Sequence, residues 1–584
     1  MNESTKLLKK HFGYNEFRNG QQQVIDKTVG KENTLCIMPT GGGKSVCYQI
    51  PALMMQGTTI VISPLISLMK DQVDTLLQMG IPATYLNSSL TNKEVNSRLE
   101  KIHNGEIKLV YIAPERLVDE DFLHLTQEIK IPLIAVDEAH CISEWGHDFR
   151  PSYREIKNFI NNLKVKPIVL ALTATATIPV RNDIKKMLEI KADSEIITSF
   201  KRENLAFSVV KNQDTAKYLL NFIKQNSNES GIIYTATRKN VETIYEMLKR
   251  KKIKVAKYHG GMESVERATN QEAFLHDEVN IIVATSAFGM GIDKSNVRYV
   301  IHHQMPKNME SYYQEAGRAG RDGLKSECIL LYKPKDIITQ RFLIEQTASA
   351  ERLKSELSKL QQMIDYCHTE GCLVRKIIEY FDETLHEGCG KCGNCTDERE
   401  ESDVTVDAQK VLSCVKRLNE NFGKVMIANV LTGSLSQKVL KLRLDKLPTY
   451  GIMKDKSAKE VGLFIEFLVS QNYLAVAQGE FPTIKLTPKG ISVLKSESTV
   501  FRKVTIKVNT VSHNDPIFEA LRVWRLNRAK ADKVPPFVVL TDKTLHDLCD
   551  KLPRELHELL DIDGIGVAKS KKYGKEIIEV LDRF

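Results

Sequence analysis

A chain of 584 residues, 42% of them hydrophobic, is long enough for three or more domains with ordinary cores and reads as soluble and globular. No apolar run reaches bilayer length, and the start, Met1-Asn2-Glu3-Ser4, lacks the apolar region of a signal peptide. Membrane and secreted classes are set aside, and a cytoplasmic location is expected. The 83 basic and 74 acidic residues leave a net charge of +9, which permits a nucleic-acid partner without demanding one.

The first strand-like run is Thr34-Leu35-Cys36-Ile37-Met38, followed by Pro39-Thr40-Gly41-Gly42-Gly43-Lys44-Ser45 and a helical apolar pattern through Met54. Strand, glycine-rich turn and helix in that order make a phosphate-binding loop. Glycines permit positive φ and close backbone approach, so amides surround phosphate oxygens, and the helix adds its positive end. Thr40, Gly41, Gly42 and Gly43 form the cradle, Lys44 reaches the β- and γ-phosphates, and Ser45 offers a hydroxyl to magnesium. ATP and Mg2+ are therefore the expected ligands.

Apolar runs recur at residues 58–63 and 108–112, then at Leu133-Ile134-Ala135-Val136, which ends abruptly in Asp137-Glu138-Ala139-His140. Four apolar residues suit a strand covered on both faces, with reactive groups at its end. Asp137 is expected to hold magnesium through water, and Glu138 to orient or deprotonate the water that attacks the γ-phosphate. After a further run at 167–172 the series begins again at 231–234, 255–258, 280–284 and 297–301. Helical segments separate these runs, as in two doubly wound parallel sheets. The second lobe has no phosphate loop, but it ends in Gln314-Glu315-Ala316-Gly317-Arg318-Ala319-Gly320-Arg321-Asp322-Gly323. Arg318 and Arg321, spaced three apart, are placed to enter the first lobe's nucleotide across a cleft. Arginines so spaced commonly make a solvated basic helix, a reading the flanking glycines argue against.

These residues, taken in order, resemble a RecQ-family DNA helicase. The resemblance rests on Phe17-Arg18-Asn19-Gly20-Gln21, the phosphate loop, Ser63-Pro64-Leu65, Asp137 to His140, Thr173-Ala174-Thr175-Ala176, Ala287-Phe288-Gly289-Met290-Gly291-Ile292-Asp293 and the double-arginine segment. Met38 replaces the usual first glycine of the phosphate loop, a variant common in helicases. The resemblance implies that Tyr14, Arg18 and Gln21 recognise and stack on adenine. It makes Arg321 the arginine finger, with Arg318 beside it, and it gives the 287–293 stretch the coupling of nucleotide state to the DNA backbone.

Directly after the acidic strand the chain reads Ser143-Glu144-Trp145-Gly146-His147-Asp148-Phe149-Arg150-Pro151-Ser152-Tyr153, which resembles the family's aromatic-rich loop. Trp145, His147, Phe149 and Arg150 offer stacking and cationic groups, and stacking on single-stranded bases contributes roughly 1–3 kcal/mol per base. The loop is expected to report DNA occupancy to Glu138. A small core cluster is the competing reading, strongest for Phe149.

Beyond about residue 340 a Lys/Glu/Leu-rich helical stretch leads to Cys372 and then Cys389-Gly390-Lys391-Cys392-Gly393-Asn394-Cys395. Eleven cysteines in a cytosolic chain are mostly reduced, so this cluster suits tetrahedral zinc rather than disulfides. Cys367 and His368 lie near enough in sequence to compete, but the resemblance assigns Cys372, Cys389, Cys392 and Cys395 to a structural Zn2+. Residues 397–403 read as a linker. Further on, short helices and two strand-like runs within 473–486 resemble the family's winged helix. Its wing tip, Gln478 to Phe481, is equally readable as a strand separator or a structural edge. The tail, with Trp524, Gly564 and Gly566, resembles the family's small helical C-terminal (HRDC-type) domain. Basic residues barely outnumber acidic ones from Ile491 onward, so strong independent DNA binding does not follow.

The expected fold is multidomain α/β. Two RecA-like doubly wound lobes (residues 1–200 and 201–340) precede a helical zinc platform (341–403), a winged helix (404–495), a linker (496–515) and an all-α domain (516–584). The expected activity is ATP- and Mg2+-dependent unwinding of duplex or branched DNA by translocation on single-stranded DNA. The resemblance alone implies 3′–5′ polarity and roles in recombination, repair and the SOS response. It also implies a nucleoid-associated monomer with single-stranded-DNA-binding protein as candidate partner. An RNA-remodelling ATPase and a scaffold with a defunct motor are the alternatives. The aromatic loop and zinc cluster oppose the first, and intact Lys44, Asp137, Glu138 and Arg321 oppose the second.

Overall fold

The computed structural model describes residues 2–146, 148–211, 214–289, 294–398, 401–477, 483–503 and 516–583. Two sheets form its centre. The first takes β1 (Thr34–Ile37), β2 (Thr59–Ile62), β3 (Ala83–Leu86), β4 (Leu109–Ile112), β5 (Leu133–Val136), β6 (Ile168–Thr173) and β7 (Glu195–Ile197) in the order β3-β4-β2-β5-β6-β1-β7. The second takes β8 (Leu205–Lys211), β9 (Ser230–Tyr234), β10 (Val255–Tyr258), β11 (Ile281–Ala284), β12 (Val297–His302) and β13 (Ser326–Tyr332) in the order β10-β11-β9-β12-β13-β8. Every ladder in both sheets is parallel.

Parallel strands need cover on both faces, and β1, β2, β4 and β5 are buried at every position. The two-residue period assigns the faces. In β5, Ile134 and Val136 enter one core, while Leu133 and Ala135 enter the core on the opposite side. Only β6 separates β1 from β5, so the turns that leave these two strands lie near each other on one rim.

The zinc platform grips the joint between the lobes. Phe200 stacks on Phe381 with centroids 4.5 Å apart, Arg181 Nη2 donates to Phe381 O at 2.9 Å, and Gly393 N donates to Phe207 O at 2.7 Å. The next domain opens with β14 (Glu401–Asp403) and packs the helices Thr405–Arg417, Lys424–Leu431 and Ala458–Ser470 around Val411, Leu412, Ile465 and Leu468. Its antiparallel hairpin, β15 (Leu474–Ala477) and β16 (Thr483–Leu486), forms where the sequence places it. The wing tip from Gln478 to Phe481 lies outside the described residues.

Residues 397–403 and 496–515 read as linkers, yet β14 pairs antiparallel with β17 (Phe501–Lys503). Charged side chains anchor the second of these stretches. Lys503 N and Arg502 Nε reach the Glu370 carboxylate at 3.1 and 3.4 Å, and Lys503 Nζ donates to Asp397 O at 2.8 Å. The C-terminal domain gathers the helices Pro516–Asp532, Asp542–Lys551 and Val567–Leu581 around Leu521, Leu545, Leu548, Tyr573 and Ile577. Among the described residues no helix is long and apolar enough to cross a membrane.

Candidate active site

The turn after β1 is shaped by glycine where a side chain has no room. Gly41 and Gly43 sit at φ +79° and +81°, and a Cβ on Gly43 would collide with the Gln21 amide. That amide donates to Gly43 O at 2.9 Å, and Arg18 Nη1 donates to Gly41 O at 2.5 Å. Gln21 and Arg18 thus brace the loop as well as face its cavity. Lys44 opens the helix Lys44–Met54 and folds back to donate to Met38 O at 3.0 Å. Burial lowers its pKa, while Glu138 and Asp137 act to raise it.

At the end of β5 the chain turns sharply. Asp137 N donates to Ile62 O at 2.9 Å, and Glu138 adopts the left-handed φ of +48°, a conformation that costs a non-glycine residue about 1 kcal/mol. Tyr153 OH holds Asp137 O at 2.9 Å. His140 Nδ1 stands 3.3 Å from the Glu138 carboxylate and 2.9 Å from Thr173 Oγ1. Burial pushes His140 down to about 4, so its contact with Glu138 at neutral pH is with a neutral imidazole.

From the second lobe, the helix Met309–Ala316 delivers Arg318 and Arg321 to the same cavity, about 600 Å³, that holds Lys44, Ser45, Asp137 and Glu138. Arg321 is near enough to lower the pKa of Lys44, and burial lowers that of Arg318. Sequence reading missed the residue that seats this segment. Arg202, in the joint between the lobes, donates to Thr40 O of the phosphate loop and to Gly320 O at 2.8 Å, Ala319 O at 3.3 Å and Gly317 O at 3.4 Å. Its only signal was one arginine in the charged run Lys201-Arg202-Glu203 between the lobes, which pattern alone does not distinguish from surface charge.

Matches to known families follow the chain in the same order. Residues 18–184 match the DEAD/DEAH box helicase family, 214–323 the helicase conserved C-terminal domain, 334–396 the RecQ zinc-binding family, 398–511 the RQC domain and 514–581 the HRDC domain. The ATP-dependent DNA helicase RecQ of Bacillus subtilis (strain 168) is 52% identical over 585 residues, spanning 100% of this chain and 99% of that protein. The chain belongs to the RecQ family of DNA helicases. The RecQ helicase of Pasteurella multocida (strain Pm70) is 38% identical over 585 residues, spanning 98% of this chain and 92% of that protein. Among solved structures, the DUF1998 helicase MrfA bound to DNA is similar, with a TM-score of 0.47 and 18% identity over 65% of this chain and 54% of that chain.

In this helicase Tyr14, Arg18, Gln21, Thr40, Gly41 and Gly43 all line the cavity. Trp145 is 49% exposed, whereas Arg150 turns inward, with Nη1 on Pro64 O at 2.9 Å and Nε on Asp148 at 3.1 Å. Phe149 is half-buried under the Arg154 guanidinium. His147 and residues 290–293 of the coupling stretch lie outside the described residues.

The thiols of Cys372, Cys389, Cys392 and Cys395 lie within 4.8 Å of one another, with Cys372 and Cys392 4.0 Å apart. Tetrahedral zinc needs sulfurs about 3.8 Å apart, so the cluster fits that ion. Burial raises the thiols of Cys389 and Cys395, whereas at Cys372 N–H donors from Arg375 and Cys389 outweigh burial and lower the thiol. Cys367 and His368 are not part of this group of four, and His368 Nε2 stands 2.8 Å from Tyr332 OH.

The C-terminal domain closes one end of the cavity, a placement that its weak charge did not suggest. Phe537, Thr541, Lys543, Gly564 and Lys569 line it. Gly564 N donates to Gly13 O at 3.4 Å, Lys572 Nζ to Gln78 Oε1 at 2.8 Å, and Arg522 Nη2 to Asn228 O of the second lobe at 3.1 Å.

Proposed function

We propose that this helicase hydrolyses ATP, with Mg2+, between its lobes and thereby walks 3′ to 5′ along single-stranded DNA, opening duplex and branched DNA in recombination and repair. One observation carries the reading. Lys44, Asp137 and Glu138 from one lobe share a cavity with Arg318 and Arg321 from the other, so the site is complete only when both lobes contribute. Tyr14, Arg18 and Gln21 face the position of the base, and loop amides with Lys44 take the phosphates. Glu138 orients the attacking water and accepts its proton, while His140, whose ring Thr173 Oγ1 fixes at 2.9 Å, stands 3.3 Å from that carboxylate. Arg321, with Arg318 beside it, stabilises the charge that develops on the transferred phosphoryl group. Departure of the cleaved phosphate takes its charge out of the cleft, loosens the lobes and advances the strand.

Ser45 and Asp137 would hold Mg2+, since a hydroxyl and a carboxylate suit a hard cation, and the ion would neutralise phosphate charge. Cys372, Cys389, Cys392 and Cys395 would hold a structural Zn2+, leaving no open position for chemistry. Trp145 is the exposed stacking surface for bases. The same reading has a monomer working on nucleoid DNA, with single-stranded-DNA-binding protein as neighbour on the exposed strand. Unwinding of a 3′-tailed duplex against a 5′-tailed one tests the polarity, with activity expected only on the 3′-tailed substrate. ATP turnover stimulated more by single-stranded RNA than by DNA would sink the DNA reading.

A further inference from the structure

The helix Ala350–His368 of the zinc platform carries Arg352, Glu356 and Lys359 on one face, on successive turns. Lys359 Nζ donates to Trp145 O at 3.1 Å and lies 3.5 Å from the carboxylates of both Glu310 and Glu356. Arg352 Nη2 donates to Gly146 O at 3.3 Å and stands 3.8 Å from Glu356. The side chains of Lys359, Glu356 and Glu310 are only 13%, 11% and 6% exposed, so solvent screens this group poorly.

Three parts of the molecule meet at one ammonium. Trp145 and Gly146 belong to the first-lobe loop that begins at Glu138. Glu310 lies in the first turn of Met309–Ala316, the second-lobe helix whose far end runs directly into Arg318 and Arg321. Lys359 belongs to neither lobe. A largely buried ammonium must keep acceptors, and a largely buried carboxylate its counter-charge. Any shift of the Trp145 carbonyl therefore changes how strongly Lys359 holds Glu310.

We infer that Lys359 is a positioning residue that couples the aromatic loop to the arginine-bearing segment, so that a base stacking on Trp145 alters the seating of Arg321. With the loop at rest, Lys359 divides its donors among Trp145 O, Glu310 and Glu356. With the loop drawn toward DNA, the ammonium turns to Glu310 and pulls on the start of the helix that ends at the finger. Arg352 keeps the neighbouring carbonyl on the same strut. The coupling rests on Trp145 being the loop's DNA-contacting residue.

The test uses the full chain with its zinc, and reads kcat and KM for ATP with and without saturating oligo(dT). Lys359→Met is expected to lower the ratio of DNA-stimulated to basal turnover about tenfold while basal turnover and KM stay within roughly twofold, a size typical of coupling between sites. Lys359→Arg should restore most of the ratio. In the Trp145→Ala background, Lys359→Met should cost nothing further. Equal loss of basal and stimulated turnover would mark a merely structural strut and overturn the inference, as would full stimulation in Lys359→Met. Full stimulation in Trp145→Ala would instead overturn the reading of the loop, and the coupling with it. Glu310→Gln with Lys359→Met leaves no buried charge unpaired, and it should show the same lost stimulation even where the single variant folds poorly.

Discussion

The two lobes share one kind of sheet and supply the active site in different ways. In the first, strand ends deliver the chemistry directly, β1 into the phosphate loop and β5 into Asp137 and Glu138. In the second, the arginines arrive beyond the helix Met309–Ala316, and their seating depends on Arg202 bridging to Thr40. Groups set by a sheet are held chiefly by contacts within their own lobe. Groups set by a partner lobe have their geometry only when the cleft is assembled.

That contrast can be broken most severely from the first lobe. Lys44→Ala should abolish DNA-stimulated ATP hydrolysis, and turnover near that of the wild type would remove the cavity from the mechanism. Arg321→Ala should lower kcat roughly 10³-fold with little change in KM for ATP, as expected of a group that acts on transition-state charge. A rise in KM at unchanged kcat would make it a binding residue and erase the difference between the lobes.

A smaller effect belongs to the acidic turn. The folded chain holds His140 at about 4, below its ordinary 6.5, and so binds fewer protons than the unfolded chain between those values. The stability this group contributes is complete above 6.5 and is lost as pH falls toward 4. Between pH 7 and pH 5 the wild type should lose about 2 kcal/mol more than His140→Gln in urea unfolding. Equal losses would show that His140 is not held neutral. Smallest is Gly13→Ala. At φ +74° its Cβ would lie 2.7 Å from the Ile565 backbone, so about 1 kcal/mol should be lost from the seating of the C-terminal domain. Faster hydrogen exchange at residues 564–566 would report it, and unchanged exchange would count against the contact.

The sheets, the phosphate loop and the acidic turn were legible because each is written in consecutive residues. A cysteine cluster suited to zinc was legible by spacing, the resemblance chose Cys372 over Cys367 and His368, and the structure gathers the thiols of Cys372, Cys389, Cys392 and Cys395 without those two. Contacts between distant segments were not legible. Arg202 looks like any charged residue, and nothing near Gly564 marks it as the neighbour of Gly13. The pairing of β14 with β17 was hidden because both strands are mostly polar or charged and carry no apolar alternation, and Arg502 and Lys503 bind Glu370. Pattern offers Arg150 as a cationic group of the aromatic loop but does not disclose its contacts with Pro64 O and Asp148.

The acceptors that Arg202 engages are all main-chain oxygens, those of Thr40, Gly317, Ala319 and Gly320. An ordinary pair of side chains can be repaired from either end, because a change in one is answerable by a change in the other. Here the receiving end has no side chain to alter. Substitution at Ala319 leaves its carbonyl in place, but Ala319 is fully buried and a Cβ on Gly320 would collide with Asn204, so the segment resists change for reasons separate from the bridge. A lesion at Arg202 cannot be answered there, since its four partners offer no compensating revertant. In a selection for restored activity, suppressors of Arg202→Ala should map away from residues 40 and 317–320.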